Sequence, residues 1–248
     1  MATEWWETFF CGVALDLWQQ AIPPEYTKLE AEFINNLLHL PTGARILDAP
    51  CGEGRITREL AAKGYQLVGV DIAEEFLAAA RAAAKERNLT MDIEQADVRS
   101  LSFKEEFDAA ICWGNSFGYF DEAGNAGLLK SLAQALKPGG RLVLDASSNA
   151  ESRLPNFQQR EWNRIADILF LEENEYDHAQ GRMITHYTFI RDGKDETRTG
   201  SHRIYTYREI CRMLEEAGFA EVECYASLSK EPFKLGANQL LMEAVKRS

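Results

Sequence analysis

Between residues 45 and 145 short apolar runs alternate with amphipathic stretches, the signature of repeated βα units. Residues 45–49 read as a buried strand and 55–63 as the helix after it, which Gly64 stops. A second strand over 66–70 leads into an Ala-, Glu- and Arg-rich helix over 73–87. The third strand, 91–95, is weaker, because Asp92 and Glu94 alternate with Met91 and Ile93. Strands over 107–113 and 141–145 flank a helix over 124–136, which Lys137-Pro138-Gly139-Gly140 closes as a stop and turn. Parallel strands joined by helices make a sheet covered on both faces, with right-handed crossovers.

The pattern then changes. Over 147–205 polar stretches alternate aromatic or aliphatic residues with charges, at 172–176, 182–191 and 197–205, and Asp192-Gly193 marks a hairpin. This predicts a small antiparallel insert after the fifth strand, over the ligand face of the core. The core resumes with a helix over 206–217: Thr206 and Glu209 have capping-box spacing and Gly218 ends the helix. Two closing strands are expected over 219–226 and 238–246, and residues 1–40 read as helices broken at Pro23-Pro24. The expected division is therefore a helical lid over 1–40, a core over 41–146 and 206–248, and an insert over 147–205 that caps the substrate.

Composition narrows the partners. The 248 residues are 46% hydrophobic and 27% charged, ordinary for a globular protein, and no apolar run is long enough to span a bilayer. A formal net charge of -12 and the lack of a basic cluster argue against nucleic acid and anionic membranes, and for a small-molecule substrate. Met1-Ala2-Thr3-Glu4-Trp5-Trp6-Glu7 lacks the basic start of a signal peptide, so a cytoplasmic location is expected. Five widely spaced cysteines and four scattered histidines have no zinc-type spacing, so no metal site is expected. An exposed edge of the insert could pair across a homodimer.

In an open α/β sheet, ligands bind outside the carboxyl ends of the strands. The first strand runs into Asp48-Ala49-Pro50-Cys51-Gly52-Glu53-Gly54, where the two glycines permit a tight turn and close approach of a ligand. A dinucleotide loop needs a third glycine, and Thr57 stands in its place. A carboxylate at Asp48 suits an ammonium better than a pyrophosphate, which favours S-adenosylmethionine over NAD. Asp71, at the end of the second strand, can accept both ribose hydroxyls, or simply cap the following helix. Asp97 can reach an adenine amine or cap a turn, and Val98 can pack on the ring.

These residues, with Gly69-Val70-Asp71, Ala96-Asp97-Val98, Phe107-Asp108-Ala109-Ala110 and Leu136-Lys137-Pro138-Gly139-Gly140, resemble the ordered motif series of class I S-adenosylmethionine-dependent methyltransferases, in their small-molecule branch. The resemblance covers about residues 40–146, with a further likeness in the closing elements. It implies an α/β fold with a doubly wound, mostly parallel, seven-stranded sheet whose last strand is antiparallel, inserted between the fifth and sixth. It also implies a cofactor set of Asp48, Cys51, Gly52 and Gly54 toward the methionine end, Asp71 and Ile72 at the ribose, Asp97 and Val98 at the adenine, and Trp113. Pro50 departs from the family, where many members carry Gly.

Trp113-Gly114-Asn115-Ser116-Phe117-Gly118-Tyr119-Phe120 lies where many members place residues beside the transferred methyl group. It lacks the Asn/Asp-Pro-Pro-Tyr/Phe motif of amino-methylating nucleic-acid and protein enzymes. Phe117 and Tyr119 are either an aromatic floor or core packing. In the insert, His186, Tyr187, Arg203 and Tyr205 are the candidates to face the substrate, with His186 as a general base if one is needed, and period-two alternation sets Arg203 and Tyr205 on one face. Trp5, Trp6, Phe9, Phe10 and Trp18 fit either a lid or a docked amphipathic helix. The rival readings are a nicotinamide-dependent oxidoreductase and a non-catalytic cofactor-binding protein.

Overall fold

The computed structural model describes residues 4–247; the first three positions of the expected lid, and Ser248, lie outside the described residues. Three helices come first: α1 (Trp5–Phe9), α2 (Gly12–Ala21) and α3 (Pro24–Leu38). The break between α2 and α3 falls where expected, with Pro24 in the first turn of α3, where a missing N–H costs nothing. The core follows as β1 (Arg45–Asp48), α4 (Arg55–Ala61), β2 (Gln66–Asp71), α5 (Glu74–Glu86), β3 (Asp92–Gln95), β4 (Phe107–Cys112), α6 (Glu122–Ala135) and β5 (Leu136–Asp145). A short α7 (Ala150–Arg153) leads into the insert strands β6 (Arg160–Ile165), β7 (Ile168–Asp177), β8 (Arg182–Arg191) and β9 (Lys194–Arg203). The chain ends with α8 (Tyr207–Ala217), β10 (Phe219–Tyr225) and β11 (Leu241–Lys246).

The core sheet has the order β10-β11-β5-β4-β1-β2-β3, parallel except for β11, which runs antiparallel to both neighbours. This is the seven-stranded arrangement expected, with the last strand between the fifth and the sixth. Alternation along each strand divides the core between two faces. Leu47, Val68, Ala110, Leu142 and Met242 pack with Leu128 and Leu132 of α6 and Ile210 and Leu214 of α8. Ile46, Leu67, Ala109, Ile111 and Val143 pack with Ile34 and Leu37 of α3 and Ile56 and Leu60 of α4. At α8 both halves of the capping box form between Thr206 and Glu209, and Gly218 closes the helix at φ 100°, a left-handed conformation that favours glycine.

Three local expectations are corrected. Lys137-Pro138-Gly139-Gly140 belongs to β5, which starts at Leu136 and meets β4 through an irregular register between Phe107 and Ala109. Helix α6 starts at Glu122, because the Asp121 carboxylate accepts the Gly124 N–H at 2.7 Å and caps it there. The insert has four strands, in the order β6-β7-β8-β9. Strand β6 carries no inward apolar run to betray it, and its Trp162 is 71% exposed.

The insert sheet turns one face outward and the other onto α1 and α2. Phe9, Val13, Ala14 and Leu17 pack there against Ile168, Phe170, Tyr187 and Phe189. Arg191 of β8 pairs with Asp16 of α2 at 2.6 Å. The aromatic N-terminus docks on the insert rather than on the core sheet alone, and Trp6, Phe10 and Trp18 line the main cleft. Among the described residues no helix is long and apolar enough to cross a membrane.

Candidate active site

A cleft of about 1100 Å³, counted out to its mouth, opens at the carboxyl ends of β1, β2 and β4. The loop from Asp48 to Arg55 forms its floor. Gly52 adopts φ 54°, and a Cβ built there would meet no atom within 4 Å, so the space beside it is open to a ligand. Its N–H donates to Asp71 Oδ2 at 2.8 Å, while Asp71 Oδ1 accepts the Ala73 N–H at 3.0 Å. Asp71 does not cap α5, whose N-cap is Ala73; it ties the Gly52 loop to the turn before that helix and lines the cleft beside Ile72.

Asp48 is 2% exposed, and one oxygen accepts the Thr57 hydroxyl at 2.6 Å. Among the described residues no cation pairs with it, and burial raises its pKa to about 7. A buried carboxylate short of a partner, opening on the cleft, fits an ammonium group. Arg55, the first residue of α4, lines the same end. Its guanidinium pairs with Glu30 of α3, and Glu30 also accepts the Trp113 indole N–H at 2.8 Å. Trp113 is thus a buried cleft residue that anchors Glu30, which in turn holds Arg55 beside Gly114. Ammonium-seeking Asp48, carboxylate-seeking Arg55 and diol-seeking Asp71 together fit an amino acid joined to a nucleoside.

At the other end lie Ala96, Asp97, Val98, Trp6, Phe120 and Leu128. Asp97 caps a 3-10 turn, accepting the Arg99 N–H at 2.9 Å, and both its oxygens are bonded to the Arg99 guanidinium. That bonding holds its carboxyl below the usual range. The free carboxylate expected for an adenine amine is therefore already engaged, although the residue lines the cleft. Arg99 is itself held between Trp6 and Phe120, at 5.1 and 4.8 Å from the ring centroids.

Of the cofactor residues expected from sequence, Asp48, Cys51, Gly52, Asp71, Ile72, Asp97, Val98 and Trp113 all line the cleft. Gly54 does not. It sits at φ 70° ahead of α4, and a Cβ there would crowd Ala80 at 3.2 Å and Met91 at 3.3 Å, so it is a close-packing glycine. Pro50 lines the cleft after a cis peptide bond.

The four insert candidates are not among the residues that line the cleft: Tyr187 is buried against Phe9 in the contact between the insert and the N-terminal helices. His186 is exposed on the outward face of β8, its Nδ1 3.0 Å from the Thr199 hydroxyl. Arg203 pairs with Glu122 at 2.6 Å and lies 4.5 Å over the Tyr205 ring. Tyr205 is buried and donates to Glu122 at 2.9 Å. Arg203 and Tyr205 do share a face, as alternation required, but together they bind the insert to α6. The same alternation turns their neighbour His202 inward, against Tyr119 at 4.7 Å between ring centroids and Trp5 at 5.8 Å. Sequence reasoning passed over His202, Arg55 and Glu30. Only the first had a local signal, its alternation with Arg203.

A family model described as "Methyltransferase domain" matches residues 46–140, which hold the cleft-forming loops of β1, β2 and β4. An S-adenosyl-L-methionine-dependent Diels-Alderase of Talaromyces variabilis is 36% identical over 192 residues, 75% of this chain and 56% of that protein. A glycine/sarcosine N-methyltransferase of Aphanothece halophytica is 26% identical over 213 residues, 81% and 76% respectively. Among solved structures, the CcbJ methyltransferase of Streptomyces caelestis matches with a TM-score of 0.80 at 17% identity, over 98% of this chain and 99% of that one.

Proposed function

We propose that the chain is a class I S-adenosylmethionine-dependent methyltransferase that methylates a small molecule held between the aromatic end of the cleft and the insert. Bound S-adenosylmethionine supplies a methyl carbon made electrophilic by its sulfonium. The chain's own residues supply position. Asp48 and Arg55 hold the amino-acid end, Asp71 the ribose, and Val98 with the Trp6–Arg99–Phe120 stack the base. The carrying observation is the wall made by Trp113, Ser116, Tyr119, Phe10 and Trp18, which continues from the methionine end of the cleft. A wall of this kind excludes water and aligns a compact acceptor for in-line attack. The acidic net charge of -12 supports a small acceptor over nucleic acid.

One relative's printed name favours a second reading, in which the cofactor is required but its methyl group is kept. The test is to incubate the protein with methyl-labelled S-adenosylmethionine and a pool of small metabolites. Label appearing in one compound, with an equal amount of S-adenosylhomocysteine, is the expected result. A changed metabolite with no S-adenosylhomocysteine formed would support the second reading and overturn the first.

A further inference from the structure

We propose that the cleft holds the purine of its cofactor without reading the 6-amino group, because Arg99 occupies the carboxylate of Asp97; this rests on the S-adenosylmethionine reading above. Asp97 lines the cleft beside Ala96 and Val98, where an adenine amine would be met. Its Oδ1 accepts the Arg99 main-chain N–H and Nε–H, each at 2.9 Å. Its Oδ2 accepts Arg99 Nη2 at 2.6 Å and Nε at 3.0 Å. A carboxylate oxygen has two lone pairs, so both oxygens are filled before a ligand arrives. Nearby main-chain acceptors are taken as well. The Asp97 carbonyl receives the Ser100 N–H at 3.0 Å, and the Phe120 carbonyl receives Asn125 at 2.8 Å and Arg182 at 3.0 Å. The other side chains at this end, Trp6, Val98, Phe120 and Leu128, offer no acceptor.

Arg99 is built into this place. Its guanidinium lies between the Trp6 and Phe120 rings, 5.1 and 4.8 Å from their centroids. Its stem runs along α6 past Gly124 and Gly127. A Cβ at Gly124 would meet Phe120 Cβ at 2.6 Å and Arg99 Cδ at 3.3 Å, and one at Gly127 would touch Arg99 Cβ at 3.8 Å. Glycine is unfavourable inside a helix, and these two leave the groove that the arginine fills. Discrimination between ligands needs a polar group that is left bare when the wrong one binds. Asp97 keeps Arg99 as its partner with either ligand, so a purine without the amine strands nothing. The base is therefore held by its flat apolar faces, and the site takes purine-based methyl donors with or without the 6-amino group.

The test is calorimetry on the full chain with S-adenosylhomocysteine and with its 6-desamino analogue, in which unsubstituted purine replaces adenine. The two dissociation constants should lie within about threefold, whereas loss of a hydrogen bond to a carboxylate weakens binding roughly tenfold to a hundredfold. Arg99→Met frees the Asp97 carboxylate. That variant should prefer S-adenosylhomocysteine over the analogue by about tenfold or more, whatever happens to its overall affinity. Arg99→Lys, which cannot bond both oxygens as a fork, should fall between the two. Asp97→Asn should leave the ratio as it is in the wild type. The ratio is the readout, because a merely structural role would weaken both ligands together. A wild-type preference for S-adenosylhomocysteine of roughly tenfold or more, or an unchanged ratio in both arginine variants, overturns the proposal. Failure of the wild-type protein to bind either ligand would instead sink the reading on which it rests.

Discussion

Asp48 is a buried carboxylate that lines the cleft. Its pKa of about 7 lies some three units above that of an exposed Asp, so the folded chain binds this proton more tightly than the unfolded chain. Between pH 4 and 7 that difference makes stability fall as pH rises, by at most ~4 kcal/mol. Asp48→Asn keeps an acceptor for the Thr57 hydroxyl and removes the buried charge. Its melting temperature at pH 8 should exceed that of the wild type, while its affinity for S-adenosylhomocysteine drops. A variant that melts lower and binds normally would refute this role. Glu30 presents the opposite case, since it satisfies both the Arg55 guanidinium and the Trp113 indole. Glu30→Ala leaves the buried Trp113 donor and the half-buried Arg55 cation without their partner, so denaturation in urea should show a loss of about 3 kcal/mol.

Among the elements, α8 offers the simplest check. Thr206→Ala removes one half of the capping box and should cost about 1 kcal/mol in urea unfolding without changing cofactor affinity. The α1–α2 pair is different, because Phe9 packs on the insert while Phe10 and Trp18 wall the cleft. Phe9→Ala should destabilise by about 3–5 kcal/mol and also weaken cofactor binding; unaltered binding would separate the helices from the site. Elements with strong periodicity could be read from sequence, as with β1, β2, α5 and the capping box of α8. Strand β6 could not, because an edge strand with an exposed Trp162 has no buried face to mark it. The loop of Asp48 and Gly52 announced itself because glycines and a carboxylate at a strand end have few other reasons to coincide. Arg55 and Glu30 did not, because their pairing joins positions 25 residues apart that only the packing of α3 on α4 brings together. His186 looked chemical by residue type alone, and the pleat of β8 sends it outward.

At the scale of the whole molecule, the seven-stranded sheet lines up three carboxylates at successive strand ends, and Trp6, Phe10 and Trp18 of the N-terminal segment wall the cleft they border. The central claim is that this cleft binds S-adenosylmethionine through an ammonium held by Asp48. It is tested most directly by calorimetric titration of S-adenosylhomocysteine between pH 6 and 8.5, in buffers of different ionisation heat. Asp48 is protonated below about pH 7 and must ionise to hold the ammonium, so binding should release a proton there. Affinity should rise by up to about tenfold per pH unit below 7 and level off above it. Binding of NAD in place of S-adenosylhomocysteine, or an affinity that falls as the pH rises through 7, would contradict the account.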